Sequence, residues 1–264
     1  MRTESDLLRR TVLHADETPI PMLKPGLGHT HRAYLWSYGT TEYDPAPIVV
    51  YDFAEGRSGR HARTFLGDWT GTLVCDDYVG YKALFKKGVI EAGCMAHARR
   101  KFHELYTNHR SQLAVEALEL FGKLYKVERE APEQNLDAIG RARLREERAR
   151  PIADLLHEWL VIHRLKVPDG SASAKAIDYS LKRWKALIRY IDDGNLPIDT
   201  DGKPHPPGGA RSLELAVRRL SACRQASRRH HEPDPVGQAQ RARPVPLSGR
   251  RPGAPADAAG KPAR

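Results

Sequence analysis

Cysteine is scarce in this chain and badly placed for pairing. Its three residues, Cys75, Cys94 and Cys223, are widely spaced and odd in number, which argues against a disulfide framework and a zinc knuckle; reduced thiols are expected. Long apolar runs are missing too: no stretch approaches the roughly 20 residues needed to cross a bilayer. Met1 to Arg10 is also too polar for a signal peptide, so a soluble, cytoplasmic protein with no membrane partner is expected. Negative charge is in the minority, with 33 Asp and Glu against 43 Lys and Arg for a net +10. That balance favours a polyanionic partner such as nucleic acid without proving one. Core material is present: 264 residues at 40% hydrophobic content can build one large domain or two small ones.

Up to about Phe102 the pattern is strands broken by turns. Thr11 to Asp16 is apolar and β-branched at its start and halts before Pro19, which predicts a strand delivering Asp16 at its end. Arg32 to Tyr38 and Pro47 to Phe53, bounded by Gly, Pro and Asp, predict an antiparallel meander after it. Arg60 to Leu66 has helical composition and Gly71 to Asp76 reads as a buried strand, a strand-helix-strand return that makes a parallel pair. A short strand, Val89 to Cys94, then leads into a helix from Ala96 to Phe102.

From residue 103 to about 193 the spacing is helical. Leu113, Ala117, Leu120, Leu124 and Val127 form one buried stripe, and Leu155, Leu156, Trp159, Leu160 and Ile162 a second. Ala174, Ile177, Leu181, Trp184, Leu187 and Ile191 form a third, opened by Ser171 or Ser173 and closed by Gly194. The run Arg141 to Arg150 alternates Arg and Glu at helical spacings and reads as a solvated face. From Asp201 the chain contains no Ile, Phe, Tyr, Trp or Met and is crowded with Pro, Gly, Arg and Ala. Such a composition predicts disorder, with Ser212 to Val217 as the one candidate short helix.

The chemistry that two strand-end aspartates suggest is metal-assisted phosphoryl transfer. That reaction uses two divalent ions about 3.5 to 4 Å apart, and hard cations take oxygen ligands. Asp16 and Asp76 can share such an ion if their strands are neighbours; taken singly, each reads more readily as a turn or cap residue.

The wording around them carries a resemblance. His14-Ala15-Asp16-Glu17-Thr18-Pro19 resembles the first-aspartate motif of insertion-sequence-66 family transposases, which belong to the DDE class. Cys75-Asp76-Asp77-Tyr78-Val79-Gly80-Tyr81-Lys82-Ala83-Leu84 resembles the second. Gly93 to Phe102, Val167 to Ser171, and Tyr179 to Trp184 running on to Asp199 are similar to later blocks in order and spacing. The resemblance implies an α/β, ribonuclease-H-like mixed sheet with a helical insertion and Mg²⁺ or Mn²⁺ as cofactor. It also implies DNA at transposon ends as partner, a homo-oligomer as an open expectation, and Asp16 and Asp76 as the first two catalytic, metal-holding carboxylates. Many relatives have Gly at the position of Asp77, so Asp76 is the expected ligand. His97, Arg99, Arg100 and Lys101, on one helix near the metal edge, are candidate phosphate contacts; simple packing is the equal alternative. Cys94 with His97 would be only half a zinc site.

The division expected is a core over 1–102 with both aspartate motifs, a helical insertion and return over 103–200, and a tail over 201–264. Members of the family carry their third carboxylate soon after an Ile-Asp-Asn-Asn turn. Here Ile198-Asp199-Thr200-Asp201 is followed by unrelated sequence. Codons permitted for Pro204 to Arg211, Leu213 to Arg219 and His230 to Gly237, read one frame over, spell the family's usual C-terminal wording. The tail is therefore expected to be an out-of-frame product, the third carboxylate absent and the chain catalytically defective. Met1 stands only a short way before Asp16, so the family's N-terminal DNA-recognition region is expected to be lacking. The rival expectation is a non-catalytic DNA-binding remnant that interferes with intact transposase.

Overall fold

The computed structural model describes residues 4–23 and 28–200; the expectations of a disordered tail and of a helix at Ser212 to Val217 lie outside them. The chain opens with α1 (Glu4–Leu7), β1 (Val12–Leu23), β2 (Thr30–Gly39), β3 (Val49–Ala54), α2 (Arg60–Leu66) and β4 (Thr72–Cys75). A 3-10 turn (Val79–Tyr81), α3 (Lys82–Phe85) and β5 (Ile90–Gly93) complete the sheet half. The rest is helical: α4 (Met95–His109), α5 (Gln112–Glu133), α6 (Ala138–Leu144), a π-helical turn (Arg145–Ala149), α7 (Arg150–Arg164), α8 (Ala172–Lys182) and two single turns, α9 (Trp184–Leu187) and α10 (Arg189–Asp192).

The strands form one mixed sheet in the order β3-β2-β1-β4-β5. β1, β2 and β3 make the antiparallel meander, and β4 then pairs parallel to β1 and β5 parallel to β4. Alternation along the strands sorts their side chains onto two faces. Leu13, Ala15, Leu73 and Cys75 join Trp36 and Tyr38 under Ala62 and Leu66 of α2 and Leu84 of α3. On the other face Val74 and Ala92 meet Met95, Ala98 and Phe102 of α4, backed by Phe121 and Leu124 of α5, Leu156 of α7 and Ile177 of α8. Fully burying side chains of this size contributes about 1.5 to 3 kcal/mol each, which is what holds helices to both faces.

Three expectations are corrected. The first strand does not halt before Pro19 but runs on through Pro19 and Pro21 to Leu23. β4 pairs only Val12 to His14 of β1, so beyond Asp16 that side of β1 is an open edge, where a residue without an N–H costs no ladder bond. The third helical stripe is not one helix: it breaks at Arg183 and again at Ile188. Arg183 leaves helical geometry (φ −111°, ψ 9°) and its guanidinium bonds Glu91 of β5 at 2.6 Å. The charged run Arg141 to Arg150 is not simply solvated, because Arg145 has no exposed surface. Its guanidinium forks onto Glu128 (2.9 and 2.6 Å) and donates to the carbonyls of Tyr190, Asp193 and Leu196 (2.8, 3.0 and 2.9 Å). Ser171 does open α8, its hydroxyl accepting from the Ala174 N–H at 3.1 Å. Among the described residues no helix is long and apolar enough to cross a membrane.

Candidate metal centre

β1 and β4 run parallel with His14 opposite Val74. Asp16 lies two residues further along β1, and Asp76 directly follows the last residue of β4, both beyond the last pair of this ladder. Both are partly buried rather than sealed. Asp16 shares parity with His14, so it belongs to the face that α4 and α8 cover. As the chain leaves β4, Asp76 Oδ1 accepts the Tyr78 N–H at 2.9 Å, a local turn that fixes the carboxylate at the strand's end. Asp77 is engaged elsewhere, with Lys82 at 3.0 Å and Arg183 at 3.6 Å. The turn after it is set by two glycine backbones in contact: a Cβ on Gly59 would lie 2.5 Å from the Gly80 carbonyl oxygen.

Glu17, of opposite parity, is buried on the other face of β1. Its Oε1 accepts from Arg57 Nε and Nη2 (3.0 and 2.5 Å) and its Oε2 from the Tyr81 hydroxyl (2.8 Å). Burial pushes this carboxyl above its ordinary pKa; the Arg57 and Tyr81 hydrogen bonds pull it back, and the charge of Asp76 adds to the rise. Arg57 lies 4.3 Å over the Tyr78 ring, and the Tyr78 hydroxyl donates to the Arg57 carbonyl. Trp36 closes the cluster with Tyr81 edge-on at 6.1 Å. This network, which ties the β3–α2 loop to the turn after Asp76, is not apparent in the sequence: Glu17 and Arg57 are 40 residues apart and leave no local pattern.

The helical segment returns to the same edge. Arg183 donates to the Cys75 carbonyl at 3.4 Å, bracing the last residue of β4. The Ile198 carbonyl accepts the Met95 N–H at 3.0 Å, the Tyr125 hydroxyl donates to Asp199 at 2.6 Å, and the Thr200 hydroxyl meets Cys94 Sγ at 3.4 Å. Burial raises the Cys94 thiol's pKa, with Thr200 opposing. The four α4 candidates fan out, since neighbours on a helix differ by about 100°. Arg99 lies 5.9 Å from the ring of Tyr125 on α5, and Lys101 lies 5.8 Å from the ring of Tyr179 on α8. Arg100 is exposed and His97 partly buried.

A family model described as Transposase IS66 family matches residues 1–202. The chain belongs to that family. It is 37% identical over 199 residues to the uncharacterised protein y4qI of Sinorhizobium fredii, an alignment covering 71% of this chain and 36% of the relative. It is 34% identical over 198 residues to y4jD of the same organism, also uncharacterised, covering 71% and 38%. The chain thus spans little more than a third of the curated relatives it matches. A DDE transposase family implies divalent metal use. Asp16 and Asp76 fit that requirement in part, as two partly exposed hard oxygen donors just beyond the paired stretch of neighbouring strands. Among the described residues no group of three or more His, Cys, Asp or Glu is arranged to hold a metal ion.

Proposed function

We propose that this chain is the central catalytic portion of a DDE transposase, in which Asp16 and Asp76 hold Mg²⁺ or Mn²⁺ for cleavage and transfer of transposon-end DNA. The observation that supports the reading is the parallel register of β1 and β4, whose last pair, His14 and Val74, stands two residues before each aspartate, within a family match that includes both. A mixed sheet of meander plus parallel strands, clad by helices on both faces, supports the ribonuclease-H-like assignment. It also supports a core over 1–102 with a helical insertion over 103–200. When bound, the divalent ions of such a site activate the attacking oxygen and stabilise the leaving one. The chain's own residues keep the carboxylates in place: the Tyr78 N–H orients Asp76, Arg183 braces the end of β4, and Lys82 and Arg183 draw Asp77 aside. Lys101, Arg99, Arg100 and His97 supply positive charge on α4 beside this edge for DNA phosphates.

The third carboxylate is missing from this polypeptide, which leaves it defective in strand transfer and able to act as a DNA-binding competitor of intact transposase. Several observations support this. Glu17 has both oxygens bonded to Arg57 and Tyr81, and Asp199 is held by Tyr125. The family match ends at residue 202, and codons permitted for stretches from Pro204 on can spell the family's wording one frame over. Asp201 and Glu214 lie outside the described residues.

The test is a nicking assay on a plasmid carrying the element's ends. The chain as given is expected to bind the DNA and leave it uncut in Mg²⁺ or Mn²⁺. Restoring the other frame after Thr200 is expected to produce metal-dependent nicking, which Asp16→Asn or Asp76→Asn lowers by about a hundredfold or more. Nicking by the restored chain that is indifferent to both substitutions would remove these aspartates from the site. Nicking by the chain as given would remove the claim that it is defective.

A further inference from the structure

Beyond Asp16 the first two strands leave the rest of the sheet behind. β4 pairs β1 only through His14, and β3 pairs β2 only from Tyr34 onward, but β1 and β2 stay paired with each other out to Leu23 and Thr30. Ile20 to Leu23 against Thr30 to Ala33 is therefore a two-stranded ribbon whose outer edges pair with no other strand among the described residues. It extends about 20 Å past Asp16 at roughly 3.3 Å per residue. Pro21, Leu23, Thr30 and Arg32 are all exposed on it.

From Thr18 to Thr41 the sequence has no Asp or Glu and the exposed cation of β2 is Arg32, while Asp52, opposite Trp36, and the exposed Glu55 lie on the β3 side. Lys24 to Leu27 lie outside the described residues. Arg32 pairs opposite Pro21, on the same ribbon face as the Glu17–Trp36 pair, and Arg57 is bonded to Glu17 on that face. The Arg57 side chain is 44% exposed while Glu17 and Tyr78 hold it in one orientation. His31 Nε2 donates to the Glu55 carbonyl at 2.7 Å, fastening the ribbon to the loop that carries Arg57. Arg57, ion-paired with Glu17, and Arg32 thus stand on one face, from the root of the ribbon outward.

We infer that this ribbon face, with Arg57 at its root and Arg32 further out, is a contact surface for duplex DNA that holds the substrate beside the Asp16–Asp76 edge. The inference rests on the transposase reading above and assigns it a second DNA surface, apart from α4. Duplex DNA fits better than a protein strand for a physical reason: Pro19 and Pro21 lack the N–H groups that would let a third strand add along the open edge of β1. The major groove, about 12 Å wide, admits a two-stranded ribbon, and guanidinium forks match phosphate oxygens.

Fluorescence anisotropy with a labelled random-sequence duplex a few turns long tests it on the full chain. Arg32→Glu and Thr30→Glu, both at exposed positions, are expected to weaken binding about tenfold or more, and Arg32→Ala to lower the slope of log affinity against log salt by about one. Arg143→Glu on α6, an exposed site with the same charge change, is the control and is expected to stay within about twofold of the parent. Thermal melts of each variant matching the parent exclude unfolding as the cause. Ribbon variants that bind like the Arg143→Glu control overturn the inference, as does a change in self-association by light scattering with DNA affinity intact. Failure of the parent chain to bind duplex DNA at all removes the transposase reading itself, and this surface with it.

Discussion

A guanidinium without exposed surface must be matched on every side, and Arg145 is matched by Glu128 and three carbonyls from the returning segment. Arg145→Ala strands the Glu128 carboxylate and those carbonyls, so unfolding in urea is expected to show a loss of about 3 to 5 kcal/mol. Arg145→Lys is expected to recover only part of it, because an ammonium cannot reproduce the planar fork. The buried thiols behave oppositely to reactive cysteines. Burial raises the pKa of Cys75 and Cys94, so the thiolate is suppressed in the folded state. Alkylation at mildly alkaline pH, read by peptide mass spectrometry, is expected to spare both until denaturant is added. Burial also pushes the Tyr43 hydroxyl up to about 12, with Arg145 opposing. The fold therefore favours the neutral phenol, whose unfolded counterpart ionises near 10. That contribution to stability is whole below pH 10 and is lost as pH rises through 12. Tyr43→Phe is expected to flatten this part of the alkaline unfolding curve.

Among the elements, β1 carries an unusual load. Pro19 and Pro21 keep its open edge from pairing, so Pro19→Val with Pro21→Val is expected to leave the melting temperature near the parent's while light scattering detects self-association. A monomeric double variant would show that the edge is shielded in another way. Gly59 matters for a different reason. A methyl there meets the Gly80 carbonyl, so Gly59→Ala is expected to displace the turn after Asp76 and lower the melting temperature. The mixed sheet was legible in the sequence because β-branched runs, turn residues and one amphipathic crossover, Arg60–Leu66, are local signals. The extension of β1 was not, since proline reads as a stop unless the neighbour on that side is known to be missing. The break at Arg183 was hidden for a similar reason: its cause is a carboxylate on β5, 92 residues away in sequence.

At the level of the molecule, the two aspartates stand out in the sequence because each sits in a motif, although Asp16 lies inside β1 and Asp76 just past β4, whereas the groups that hold their surroundings leave no local pattern. Glu17, Arg57, Tyr81 and Arg183 meet only once the sheet has formed, through contacts between distant segments. The chain matches its family through residue 202 and spans only 36% of the length of y4qI, and nearly all of its net charge of +10 falls beyond residue 202. Its affinity for duplex DNA is expected to fall steeply with salt, as phosphate-dominated binding does. The last described residues carry one more consequence. Ile198, Asp199 and Thr200 are moored to α4, α5 and Cys94. On the proposed reading, a chain returned to the other frame after Thr200 is expected to keep this folded body and nearly the same melting temperature, so that a single-nucleotide slip would decide between a cutter of DNA and a mere occupant of it.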